Sequence, residues 1–217
     1  MADVSKVQTS SASEVYDKLK GSFGELQAAR TMTGNCNTLS TSIDKIIKDQ
    51  NEYLSEVEVE LNDITGLQED MESKIVELEN EIEQLLIKKE NGTITEEEEA
   101  ELVSKRGEIS ALTSGTNSQI ASKNSALKDL LGKSGECSTN LAVAADYADT
   151  AVDKGKPLAE TKNKRKSFWR KVFGGWNKSG TRKVGENLVK AGEKLDSKVT
   201  SANQLVGEIK SRTKKSV

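Results

Sequence analysis

Apolar residues before Asn91-Gly92 are mirrored by apolar residues after it, in pairs whose position numbers add to about 187. Leu85 falls opposite Leu102, Leu78 opposite Ile109, Ile75 opposite Leu112 and Val57 opposite Leu130, while Met71 meets Thr116 and Gln68 meets Gln119. Two helices folded back on each other produce this pattern, because facing side chains in an antiparallel pair recede from the turn in equal steps. The expected fold is all-α: an elongated antiparallel coiled-coil hairpin over residues 38–153, its tip at 91–94, flanked by N- and C-terminal helices in a helical bundle. Gln68 and Gln119 are the expected register-setting layer, since a slipped pairing would bury an amide against Met or Leu.

The periodicity of each arm supports the pairing. Leu39, Ile43, Ile46, Gln50, Tyr53 and Val57 step by four and three, and Leu61, Ile64, Gln68, Met71, Ile75, Leu78, Ile82 and Leu85 continue the alternation. Tyr53, Val57 and Leu61 form a stutter that relaxes the supercoil without ending the helix. One helix from about Thr38 to Glu90 is expected, on the order of 75–80 Å long. Asn91-Gly92 tolerates the left-handed conformation that ends it, and Thr95 with Glu98 forms a capping box for the returning helix. Glu96 to Glu99 lie in that first turn, where the helix dipole favours negative charge. The turn is also similar to the second half of a calcium loop ending at Glu98, but Ile87 and Lys89 stand where acidic ligands are needed, so no metal is expected.

The returning seam runs through Leu102, Ile109, Leu112, Ile120, Leu127 and Leu130, with a bend or break expected at Gly132 and Gly135. Leu141, Ala145, Ala148 and Val152 then resume helical spacing. Before the hairpin, residues 1–37 read as a polar start and a short helix capped by Ser13, carrying Val15, Leu19, Phe23 and Leu26 and ending near Gly34. Gly155 to Thr161, with Pro157, reads as the start of a linker, 154–180. A basic amphipathic helix, about Thr181 to Arg212 within 181–217, follows with Val184, Leu188, Ala191, Leu195, Val199, Ala202, Val206 and Ile209 on one face, which needs a partner seam.

Composition narrows the function. Only 34% of the 217 residues are hydrophobic, 4% are aromatic and 31% are charged, which suits long helices with a narrow apolar seam. The absence of histidine removes the commonest general base and metal ligand. Gly132-Lys133-Ser134 lacks the earlier glycine of a phosphate loop, Leu127 standing in its place. The acids along the hairpin, such as Glu56, Glu58, Glu60, Glu77, Glu79, Glu81 and Glu83, read as a solvated face. No enzyme activity and no cofactor are therefore expected. Cys36 and Cys137 are expected as free, small, buried thiols, opposite Ala151 and Gln50 respectively, with a disulfide the alternative. The N-terminus has no apolar signal region and no stretch is long enough to span a bilayer, so the expected location is cytoplasmic, with signal-independent export as the alternative.

The charge is strongly polarised. Residues 161–217 hold sixteen Lys and Arg against four acids, a charge of +12, leaving −15 on the first 160 residues. No acid occurs between Glu160 and Glu186, and inside that gap lie both tryptophans. The expected partner-binding or membrane-binding residues are Lys164, Arg165, Lys166, Phe168, Trp169, Arg170, Lys171, Phe173 and Trp176. On a helix Phe168, Val172, Trp176, Trp169 and Phe173 would share one arc, as in a basic amphipathic segment at a membrane interface. Three roles compete for it. It can cap the bundle by docking on the acidic hairpin, it can contact an acidic protein or an anionic lipid surface, or its aromatics can stack on unpaired bases of a nucleic acid. The favoured function is a non-enzymatic structural or interaction protein, a scaffold or adaptor whose basic-aromatic segment meets an acidic partner. Self-association through the helix seams is the other expected partnership.

Overall fold

The computed structural model describes residues 11–160 and 178–214, and every regular element among them is an α-helix. In chain order these are α1 (Ala12–Phe23), α2 (Glu25–Glu90), α3 (Glu96–Gly135), α4 (Ser138–Ala159) and α5 (Lys178–Thr213). The fold is all-α, a helical bundle. It divides into two compact units, Met1–Glu52 with Lys133–Glu208, and Tyr53–Gly132 with Ile209–Val217.

In the second unit α2 and α3 are antiparallel arms. The turn is built as the sequence indicates: Gly92 has φ 69°, its amide donates to Lys89 O, and Thr93 N–H donates to Lys88 O at 2.9 Å. Those two bonds make a Schellman closure that satisfies the last carbonyls of α2. Across the turn Thr95 N–H donates to Glu98 Oε2 and Glu98 N–H donates to Thr95 Oγ1, which completes the capping box. Ion pairs then mark the register, Lys88–Glu98, Lys89–Glu99, Lys105–Glu81 and Lys123–Asp63, all with position numbers adding to about 187.

Burial along the arms is uneven. Leu85 and Leu102 are buried near the tip, and Val57, Ile64, Leu127 and Leu130 are buried together with Ile209 of α5. Between these, Met71, Ile75, Leu78, Ile82, Ile109 and Leu112 are only half-buried, because two helices alone cannot enclose a seam on all sides. Gln68 and Gln119 depart from expectation: both are exposed. Leu67 lies three residues after Ile64 and four before Met71, so it fits the same spacing, and it is the half-buried residue. On α3 the corresponding residue is Ile120, also half-buried, and one turn on, opposite Met71, Thr116 is buried. An apolar side chain gains by entering the seam where an amide would be desolvated, so the helix turns Leu67 inward and Gln68 outward.

The first unit gathers α1, the start of α2, α4 and most of α5 around one core, including Tyr16, Met32, Leu39, Ile43, Leu141, Tyr147, Leu188, Leu195 and Val199. The seam of α5 thus finds its partner within the chain. Several helix boundaries differ from the sequence reading. The N-cap of α1 is Ser11, because only there does Glu14 fall three residues on and close a capping box. The break after α1 comes at Gly24, φ 80°, and α2 runs through Gly34, since Ala28, Ala29, Met32, Cys36, Leu39 and Ile43 form one unbroken buried seam. The break between α3 and α4 follows Gly135, as expected. At the other end α4 continues to Ala159 with exposed Pro157 in its last turn, so Gly155 belongs to a helix and not to a linker.

Candidate interaction surface

The basic-aromatic segment, with Lys164, Arg165, Lys166, Phe168, Trp169, Arg170, Lys171, Phe173 and Trp176, lies outside the described residues. What the structure defines is the pair of helices between which it is strung, α4 ending at Ala159 and α5 beginning at Lys178. Both belong to the first unit through the described part of α5 up to Glu208.

These helices meet backbone to backbone. A Cβ on Gly185 would run into the amide nitrogen of Ala159 and stand 2.7 Å from the carbonyl carbon of Leu158, both backbone atoms. On Gly192 it would stand 2.8 Å from the Ala148 carbonyl oxygen, and on Gly155 2.7 Å from Val189 Cγ2. No side chain fits at 185 or 192 without separating the helices, so glycine there is a packing requirement. Buried alanines at 144, 148, 151 and 191 extend the close approach. The chain that leaves α4 is therefore returned by α5 at a joint that fixes both anchor helices against each other.

The opposite face of α5 is open and charged. Lys183, Lys190 and Lys194 are exposed, spaced by seven and four, and fall within about 40° of one another around the helix. Exposed Asn187, Ser197 and Ser201 share that arc, and no acid occurs in it between residues 183 and 201. Two acids border the arc one turn either side of Lys190: Glu186, which accepts from Arg182 at 2.7 Å, and exposed Glu193, while Asp196 lies farther round the helix. At the edge of the arc Lys198 is engaged, donating to Asp44 and to the Ser40 carbonyl. None of Lys183, Lys190 and Lys194 has an ion pair within the described residues.

The remaining polar groups are structural in their contacts. Asp146 of α4 accepts from Ala12 N–H at 2.7 Å, adding a cap from another helix to the start of α1. Lys154 reaches over the Tyr16 ring at 5.5 Å, and burial, with Glu25 and Asp17 nearby, raises the Tyr16 phenol. Cys36 and Cys137 are free thiols, the first buried and the second half-buried. Cys36 donates to Tyr147 O, one turn short of the expected Ala151, and burial pushes its thiol up to about 11. Cys137 does lie against Gln50, whose Nε2 is 3.7 Å from its sulfur. Beside them Ser134 donates to Gln50 Oε1, and all three groups sit within the first unit. Gln50 and Ser134 are 2% and 0% exposed, so the buried polar layer is here and not at Gln68 and Gln119. The expected pairing of Gln50 with Cys137 already points to this layer.

Among the described residues no three or more His, Cys, Asp or Glu side chains gather as a metal site, and no helix is long and apolar enough to cross a membrane. Set against known protein families, curated proteins and solved structures, the chain matches none.

Proposed function

We propose that this chain is a non-enzymatic interaction protein, a helical scaffold that presents the basic-aromatic segment 162–176 to an acidic partner. The observation that carries the reading is the glycine joint at Gly185. It holds the last turn of α4 against α5, so the segment's anchors are fixed on a packed bundle. The segment itself contributes positive charge with no acid from 161 to 185, together with both tryptophans and two of the three phenylalanines. Charge draws in an acidic surface, and the aromatics provide contact area once it arrives. The first 160 residues are acidic, which disfavours approach of an anionic partner elsewhere on the molecule.

Trp169 and Trp176 are the chain's only tryptophans, so intrinsic tryptophan fluorescence reports on this segment alone. Titrating the full chain with polyglutamate, with anionic vesicles and with single-stranded oligonucleotides should give a blue shift or quenching change with the first or second. The change should be lost in the Lys164→Gln, Lys166→Gln, Lys171→Gln variant. A response confined to the oligonucleotide, weakening steeply with salt, would replace the reading by nucleic-acid binding. No response to any of the three would end it.

A further inference from the structure

We infer that the open face of α5, carried by Lys183, Lys190 and Lys194, is a docking surface for an anionic lipid bilayer, on which the helix lies parallel to the membrane plane. The inference rests on the reading of the chain as a binder of acidic surfaces, and it names that surface.

The face has the features such contact needs. Its three ammonium groups lie on one side of a single helix, spread over roughly 16 Å along its axis. They are exposed, and they have no carboxylate partner within the described residues. Asn187, Ser197 and Ser201 are the exposed residues within about 40° of that row, and of the two acids that border it Glu186 is engaged by Arg182. The opposite face, with Leu188, Leu195 and Val199, is buried in the bundle core, so the helix cannot rotate to hide the lysines.

Two points favour a lipid plane over an acidic peptide. The cations are lysines, compact charges that need no fixed partner geometry, whereas bidentate recognition of a peptide carboxylate is the work of arginine. A row of charges along a single helix also matches a flat, diffuse anionic surface. Each lysine close to such a surface strengthens binding by roughly fivefold, so the three together are worth about a hundredfold. Attachment is through headgroups only, consistent with the absence of a membrane-crossing helix among the described residues.

The test is co-sedimentation of the full chain with phosphatidylcholine vesicles, with and without about one-third phosphatidylserine. The wild type should sediment with the anionic vesicles only, and less so at high salt. The triple variant Lys183→Gln, Lys190→Gln, Lys194→Gln should lose about a hundredfold in affinity with an unchanged far-UV circular dichroism spectrum, while Lys→Arg at the same positions should bind like the wild type. If the glutamine variant binds like the wild type while Trp169→Ala with Trp176→Ala abolishes sedimentation, this face is not the surface and the segment alone makes the contact. If the wild type ignores anionic vesicles yet its tryptophans still respond to polyglutamate, the lipid assignment is overturned and the acidic-partner reading survives. Failure with both overturns both.

Discussion

Ser134 donates its hydroxyl to the side-chain carbonyl of Gln50 at 2.5 Å, and neither residue is more than 2% exposed. The amide nitrogen of the same Gln50 is directed at Cys137, whose thiol donates to the Ser134 carbonyl at 3.1 Å. Gln50 stands near the end of the first unit's share of α2, and Ser134 stands in the last turn of α3, so this small network ties the returning chain to one height on the outgoing helix. A shift by one turn would leave a buried amide and a buried hydroxyl facing hydrocarbon.

Breaking one side of this network should therefore cost more than removing all of it. Gln50→Ala is expected to destabilise the fold by about 1–3 kcal/mol, because the Ser134 hydroxyl is left without its acceptor. Gln50→Leu combined with Ser134→Ala should cost much less than the sum of those two substitutions made singly, and that difference is the coupling in a double-mutant cycle of urea unfolding. Equal and additive losses would show that the layer does not act as a unit.

Glycines of identical helical conformation should respond in opposite ways. Gly34 is exposed, with nothing within 4 Å of where a Cβ would stand, so Gly34→Ala should stabilise by about 0.5–1 kcal/mol. Gly185→Ala meets the backbone of Leu158 and Ala159 and should destabilise by at least about 1–3 kcal/mol. Thermal unfolding of the two variants decides it. Similar melting temperatures would mean that α4 and α5 are not in close contact in solution.

The tip should weaken in acid. Glu98 is held below the usual carboxylate range, first by its bond from Lys88, then by the Thr95 amide. A depressed folded-state value means that the stabilisation is present above the unfolded-state value and is lost as pH falls through the folded one. Hydrogen exchange at the Thr95 amide should therefore accelerate, beyond the intrinsic pH effect, as the solution is taken below about pH 4. Glu98→Gln should flatten that response. Because the carboxylate is exposed, the effect is confined to the turn.

The two thiols should be inert in the folded state. Burial raises both, and Cys36 reaches about 11, so little thiolate exists at about pH 8. Iodoacetamide labelling followed by mass spectrometry should show slow modification of half-buried Cys137, slower modification of Cys36, and rapid reaction of both in denaturant. Rapid labelling of Cys36 without denaturant would contradict the packing of α2 against α4.

Local features are readable wherever one turn of chain suffices to decide them. Asn91-Gly92 closes α2 because glycine accepts a positive φ, and Thr95 caps α3 because Glu98 lies one turn away. Gln68 misleads for a physical reason. Leu67 satisfies the same three-and-four spacing, and periodicity alone does not rank two neighbouring residues that both fit. Gly155 resembles punctuation in the sequence because its purpose is to admit Val189, which lies 34 positions further along the chain. The basic-aromatic segment is legible as chemistry, from its run of Lys and Arg without acids. The lysine face of α5 is not, because which side of an amphipathic helix stays open depends on what covers the other.

The helices, the hairpin turn, the register near it and the separation of the acidic first 160 residues from the basic remainder are all legible along the chain. Each is set by spacing and charge along the chain. Tertiary structure alone decided that α2 begins at Glu25, that Gln50 with Ser134 and not Gln68 with Gln119 forms the buried polar layer, and that glycines 155, 185 and 192 join α4 to α5. Those outcomes depend on which atoms stand opposite one another across helices. Burial of an apolar side chain, or exclusion of a Cβ, is a property of the pair and is written in neither segment separately.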